Sequence, residues 1–391
     1  MMAFDAAAAA AAYAQRLPAA ARHSAPVATA TSEILLTASG VVVMAAAWAV
    51  AGSGLLPRIE ARLRAAGRPG WMADAACGGA LIGLIGLSLA PLALIGAAGA
   101  AAKMAALSGA LRQAAVFSLV GAVIAPGLYG LMRRLPRLWA PLLGGLAAAA
   151  VFAAVWLPFA SASGPTQLPP APAGPARAGL VRLIADTRLP ASEVYLSANP
   201  AIDADVTGQG AARVVVSRGL WSVASPAELR ASVGHLMGHY THHDQLSIAA
   251  LLALLALGLF FALQILYAPV ARWLRLPADR LDPAGAPALV LIATAWLSLA
   301  AIADHSFIRA INVRADQYSL DHAREPDGLA AALLHEWGGE DIDPSPLQEA
   351  LFYSHPSLQG RLLHAMRWKA AHPDALSPLV PAKAGIQDQS H

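Results

Sequence analysis

Apolar residues run along this chain in long blocks rather than in short alternating patches. A helix needs about 20 mostly apolar residues to cross a bilayer, and the pattern predicts about six such segments. They are Ile34 to Leu56, residues 75–98 with a kink at Pro91, Ala114 to Met132, Trp139 to Ala160, Ser247 to Val270 and Ala286 to Ala303. Between the fourth and fifth the pattern changes. Pro165, Pro169, Pro170, Pro172 and Pro175 punctuate residues 161–178, which read as a linker. Beyond it, Leu180 to Asp186 has helical spacing, while Glu193 to Leu196 and Ala212 to Ser217 read as strands. Ser225-Pro226-Ala227-Glu228 opens a helix, with Ser at the N-cap, Pro at the first position and Glu at the capping-box position.

The pattern divides the chain into a four-helix membrane domain over residues 1–160, the linker 161–178, and a folded domain over 179–376. Two membrane helices (247–270 and 286–303) are inserted in that domain, and a tail, 377–391, is expected to be disordered. The predicted fold class is mainly α: a polytopic membrane protein carrying an α+β domain. Composition strengthens this reading. Of 391 residues 57% are hydrophobic and only 13% charged, against roughly a quarter charged in soluble proteins. The net charge of +3 leaves no nucleic-acid footprint, and Cys77 as the lone cysteine excludes an intramolecular disulfide. Arginines gather in the loops after the first, third and fifth spans: Arg58, Arg62, Arg64 and Arg68, then Arg133, Arg134 and Arg137, then Arg272, Arg275 and Arg280. By the positive-inside rule those loops are cytoplasmic and the α+β domain lies on the other side.

The chemistry centres on His235-Leu236-Met237-Gly238-His239. Histidines at i and i+4 share a helical face and can share a metal ion. In the H-E-x-x-H signature the Glu after the first His polarises a zinc-bound water. Leu236 holds that position here and can neither accept nor deliver a proton. His242, His243 and Asp244 follow. They mark the hydrated end of the helix or, alternatively, build a displaced site from His239 and His243 with Asp244 nearby.

Several motifs in order resemble the integral-membrane CAAX prenyl protease 1 family of zinc endopeptidases, which is of the gluzincin type. They begin with Phe4-Asp5-Ala6-Ala7-Ala8 and Ser197-Ala198-Asn199, and continue through Asp205-Val206-Thr207-Gly208-Gln209-Gly210 and Arg213 to Leu220. Ser225 to Leu229, Gly234-His235, Gly238-His239-Tyr240, Arg309, Ala315-Asp316, His355-Pro356-Ser357 and Arg361 complete the series. The resemblance implies a gluzincin-like metallopeptidase domain with His235 and His239 as metal ligands. It also implies Asp316 as a carboxylate behind a ligating His, and His355 and Arg361 as oxyanion partners. The family's third ligand is a glutamate, and its position is Asn312. Arg213, Val214, Val215 and Val216 resemble the substrate-side strand, which would bind a peptide by strand addition.

Catalytic zinc sites normally use three protein ligands and a water. Two imidazoles and a neutral amide would hold Zn²⁺ weakly or not at all. The favoured reading is therefore a zinc metalloendopeptidase homologue of an inner (plasma) membrane of bacterial type that is catalytically inactive and retained for peptide binding or regulation. Its expected partners are the lipid bilayer and a peptide or membrane-protein substrate. The alternative is an active metalloendopeptidase with rearranged ligands, drawing on His243, Asp244, Glu336 or Glu340.

Overall fold

The computed structural model describes residues 4–95, 99–162, 166–277 and 279–375. Six helices are long and apolar enough to cross a membrane: Thr31–Ser53, Gly70–Leu94, Gly99–Arg134, Trp139–Ser161, Asp244–Trp273 and Pro283–Ala323. Each contains its predicted apolar block or most of it, and several extend further, because polar residues continue the helix beyond its apolar stretch. At Pro91 the expected kink is a break at Leu89, after which a short helix, Ala90–Leu94, begins. Proline has no N–H to continue the ladder and crowds the preceding turn. The predicted tail at 377–391 lies outside the described residues.

The chain divides into two compact units. One, Ala30–Ala153 with Ala250–Asp304, holds most of the apolar helix length. Its helices Gly70–Ser88 and Gly99–Arg134 pack closely through small residues. A Cβ on Gly78 would stand 2.5 Å from that of Ala125, and one on Gly121 would stand 2.5 Å from the Gly78 carbonyl oxygen. Small side chains at such a seam let helix backbones approach, which is how apolar helices associate without a solvent-driven force. Arg133 clamps Asp74 with two hydrogen bonds of 2.6 Å each.

The other unit comprises Met1–Thr29, Ala154–Ala249 and His305–His391. It holds a three-stranded sheet of β1 (Val194–Ser197), β2 (Ala204–Thr207) and β3 (Arg213–Ser217). The order is β1-β3-β2, with β1 parallel and β2 antiparallel to β3. Alternation in β3 sends Val214 and Val216 into a core with Leu180, Leu183, Val194 and Met237. The proline-rich stretch is partly built into this unit. Pro169 O accepts from Leu196 N, Ala171 N donates to Val194 O, and Pro175 begins the helix Pro175–Asp186.

The order of the strands corrects one expectation. Arg213 to Val216 lie in the middle strand, whose backbone is paired on both sides, so β3 has no open edge to receive a peptide. β2 does, since it stands last in the sheet. Asp203 O accepts from Ser217 N at 2.9 Å. Bonded pairs alternate in an antiparallel ladder, so Asp205 and Thr207 turn their backbone groups to β3, while Ala204 and Val206 turn theirs to the open edge.

The helix Pro226–Thr241, called the histidine helix below, starts with the predicted capping box at Ser225 and Glu228. It ends at its C-cap His242, and His243 adopts φ 55° before the next helix opens at Asp244. Against it lies the helix Ala286–Ala323, called the return helix. The contact depends on Gly238, where a Cβ would come within 3.0 Å of Ala315 Cα and Tyr318 Cβ. Ser319 Oγ ties the pair by donating to Ala231 O at 2.7 Å.

Candidate functional site

The histidine and return helices bring His235, His239, Asn312 and Asp316 together. His235 Nδ1 lies 2.7 Å from Asp316 Oδ1, and His239 Nδ1 lies 2.8 Å from Asp244 Oδ2. A carboxylate on Nδ1 holds the proton there and turns Nε2 into the lone-pair face of the ring. The two Nε2 atoms then face each other at 3.0 Å. Two lone pairs at that distance repel unless a cation, either a proton or a metal, is shared between them. Burial holds the His235 imidazole below its usual pKa, against the pull of Asp316. Both rings keep a minor part of their surface open to a cleft.

The remaining predicted residues surround this pair. Arg361 reaches Asp316 through Nε and Nη2, each at 2.7 Å, and this two-point contact orients the carboxylate. The pair is nearly dry, with side-chain exposures of 13% and 2%. His355 stands beside the cleft with Nδ1 3.1 Å from Ser354 Oγ, and its pKa is lowered first by burial and then by Arg361 and His239. Pro356 and Ser357 following it form the turn and N-cap of the helix Leu358–Ala371. Asn312 donates Nδ2 back to Ile308 O at 2.9 Å and is buried at the cleft wall. Leu236 lines the cleft between the histidines and the core behind them.

Two adjoining cavities make up the cleft, of about 220 and 350 Å³, sharing His235, Leu236, Asn312 and His355 as walls. The larger is mostly apolar, with Phe159, Ile248, Ile308 and Ile311, and the smaller carries Asp203, Ser232, Glu336 and Arg361. β2 borders both.

Some of this was beyond sequence reasoning. Asp244 supports His239 and is itself held by Arg314, so its oxygens are engaged behind the ring. That arrangement depends on the turn at His243. The same turn rules out a displaced His239/His243 site of the one-helix kind, because the residues no longer share a continuous helix. Ser232 and Glu336, joined by a 3.3 Å hydrogen bond across 104 positions, carry no local spacing signal.

The donor set answers the question of a zinc ion. The facing Nε2 atoms and the carboxylates behind them fit half of a zinc centre. Among the described residues no three His, Cys, Asp or Glu side chains converge closely enough to hold a metal. The set does not fit the three-ligand catalytic form.

Comparison with known proteins assigns the lineage. The family model described as Peptidase family M48 matches residues 175–369. This segment belongs to peptidase family M48. Among curated proteins, the Bacillus subtilis "Uncharacterized metalloprotease YhfN" is 29% identical over 216 residues, covering 50% of this chain and 49% of that one. The "Protease HtpX homolog" of Syntrophobacter fumaroxidans is 29% identical over 208 residues, covering 46% of this chain and 71% of that one. The match thus spans about half the length of the first relative. A crystal structure of S. mikatae Ste24p aligns over 74% of each chain at 16% identity, with a TM-score of 0.44. The M48 segment takes in the helices bearing both histidines, Asn312, Asp316 and Arg361.

Proposed function

We propose that this M48-family membrane protein no longer hydrolyses peptide bonds, and that its peptidase unit is kept to bind a peptide segment along β2. The observation that carries the reading is Leu236, an alkyl side chain lining the cleft beside His235. A positioned general base contributes roughly 10²–10⁴-fold in rate. Leu236 removes that base, and Asn312 removes the anion that would hold the metal. The two losses compound, because both act on the same water molecule. Peptide binding needs neither. The open edge of β2 offers the backbone groups of Ala204 and Val206, and the adjoining cavities offer room for alternate side chains.

Purified full-length protein, incubated with zinc and a quenched-fluorescent peptide library, is expected to release no fluorescence above that of a His235→Ala variant. A fluorescein-labelled peptide pool is expected to bind it and to lose affinity on Ala204→Pro, which deletes an outward N–H that β3 does not use. A second reading, an active endopeptidase with rearranged groups, draws support from Glu336, a carboxylate on the cleft wall with His235. Zinc-dependent cleavage abolished by both His235→Ala and Glu336→Gln would establish it in place of the first.

A further inference from the structure

We propose that the smaller cavity is a recognition pocket for a cationic side chain, so that the peptide held along β2 presents a lysine or arginine to Glu336. The proposal rests on the peptide-binding reading above and specifies its ligand.

The charge inventory of the cavity is one-sided. Arg361 is a wall residue, but its guanidinium is bound in two-point contact to the buried carboxylate of Asp316, and the pair is neutral as a unit. Two carboxylates remain, Asp203 and Glu336, and they share this wall with Ser232. Glu336 accepts a hydrogen bond from Ser232 Oγ at 3.3 Å, and among the described residues it forms no ion pair. Its side chain is accessible from the cleft, and burial raises its pKa, with Arg361 and then Ser232 opposing. An ammonium or guanidinium in the cavity would offset that penalty and supply the donors Glu336 lacks. The volume, about 220 Å³, accommodates the end of one long side chain and not a second peptide residue.

Position gives the charge a use. Ile202, Asp203 and Ala204 border the small cavity, and Asp205 and Val206 border the large apolar one. Side chains on one face of an extended peptide recur every second residue, at about 7 Å. A strand along the edge of β2 would therefore drop an apolar side chain into one cavity and a basic one into the other.

The test uses full-length protein in detergent micelles and fluorescein-labelled dodecapeptide pools. Each pool is degenerate except at one central position, fixed as Lys, norleucine or Glu. A charge-assisted hydrogen bond is worth enough to make the Lys pool bind roughly tenfold more tightly than the Glu pool. Glu336→Gln should bring the pools within about twofold of each other, and Glu336→Lys should reverse their order. Unchanged unfolding temperature and circular dichroism show that each variant is folded. Equal binding of Lys and Glu pools, still lost on Ala204→Pro, would overturn the cationic pocket and leave the peptide-binding reading standing. A Lys preference surviving Glu336→Gln overturns the assignment to this residue. No binding by any pool overturns both readings.

Discussion

At His235 and His239 each imidazole is oriented by a carboxylate on its Nδ1 side, Asp316 and Asp244, and among the described residues no third His, Cys, Asp or Glu joins them in a group that could hold a metal. This arrangement orients ligands without completing a ligand set. Restoring catalysis requires two changes, since a base needs an acidified water and a firm metal needs a third donor. Asn312→Glu, alone or with Leu236→Glu, is therefore expected to raise zinc retained after dialysis, read by elemental analysis, while recovery of cleavage needs both changes. Equal zinc content in the unmodified protein and the double variant would sink this account. Arg361 is expected to act chiefly through Asp316. Arg361→Met leaves a buried carboxylate without its partner and should cost about 3–5 kcal/mol of stability in unfolding measurements. A cost near zero would return Arg361 to the role of a free oxyanion donor. His235, His239 and Asp316 were legible in the sequence because a helical spacing or a short motif marks them. Asp244 and Glu336 stood in the sequence only as alternative ligands, and their contacts were not legible, because a turn brings one under His239 and a long-range contact brings the other to Ser232.

The elements differ in how openly they declare themselves. Apolar blocks fixed the membrane helices, and the capping box at Ser225 fixed the start of the histidine helix. Replacing Ser225 with Ala should cost about 1 kcal/mol, read as a small fall in unfolding temperature. β3 declared itself through three consecutive valines, but such a run marks burial and says nothing of whether a strand is central or at an edge. β2 reads Ala-Asp-Val-Thr, too short and too polar for the hydrophobic pattern to find, although it holds the open edge. The helix Leu55–Ala65 shows a different kind of hidden constraint. Burial, then a hydrogen bond shared with Asp282, pushes the Glu60 carboxyl up to about 6, with Arg64 opposing. The folded state then holds a proton that the unfolded chain has lost, so stability is fullest below about pH 4.5 and falls as pH rises through about 6. Unfolding temperature should accordingly decline from pH 5 to pH 7 for the native protein, and Glu60→Gln should flatten that part of the decline. An unchanged slope in the variant would assign the dependence to other groups.

On the scale of the whole chain, the site-bearing unit is assembled from three stretches separated by membrane helices. The first four candidate spans lie between residues 29 and about 160, and the last two between residues 244 and 323. Both numbers are even, so with all six candidates crossing, every stretch of the unit emerges on the same face of the bilayer, in keeping with its shared core of Tyr13, Leu320, Leu329 and Met366. An odd count in either group would strand part of that core across the membrane. Which face this is follows from the arginines, exposed at 58, 68, 134, 137, 272 and 275 on the loops at the other ends of the spans. By the positive-inside rule we propose that those loops are cytoplasmic and that the site-bearing unit lies on the other side. Cys77 is the lone cysteine, so Cys77→Ser gives a clean background for mapping. Single cysteines at Gln15, Ser192 and Gly338, all exposed positions of the site-bearing unit, should react alike with a membrane-impermeant maleimide added to intact cells. Those at Arg137 and Arg272 should react only after permeabilisation. Labelling of Arg137 and Arg272 alone in intact cells would invert the orientation and keep the six crossings. Divergent labelling among Gln15, Ser192 and Gly338 would break the even count itself, and with it the assembly of the histidine cleft from stretches on both sides of the last two spans.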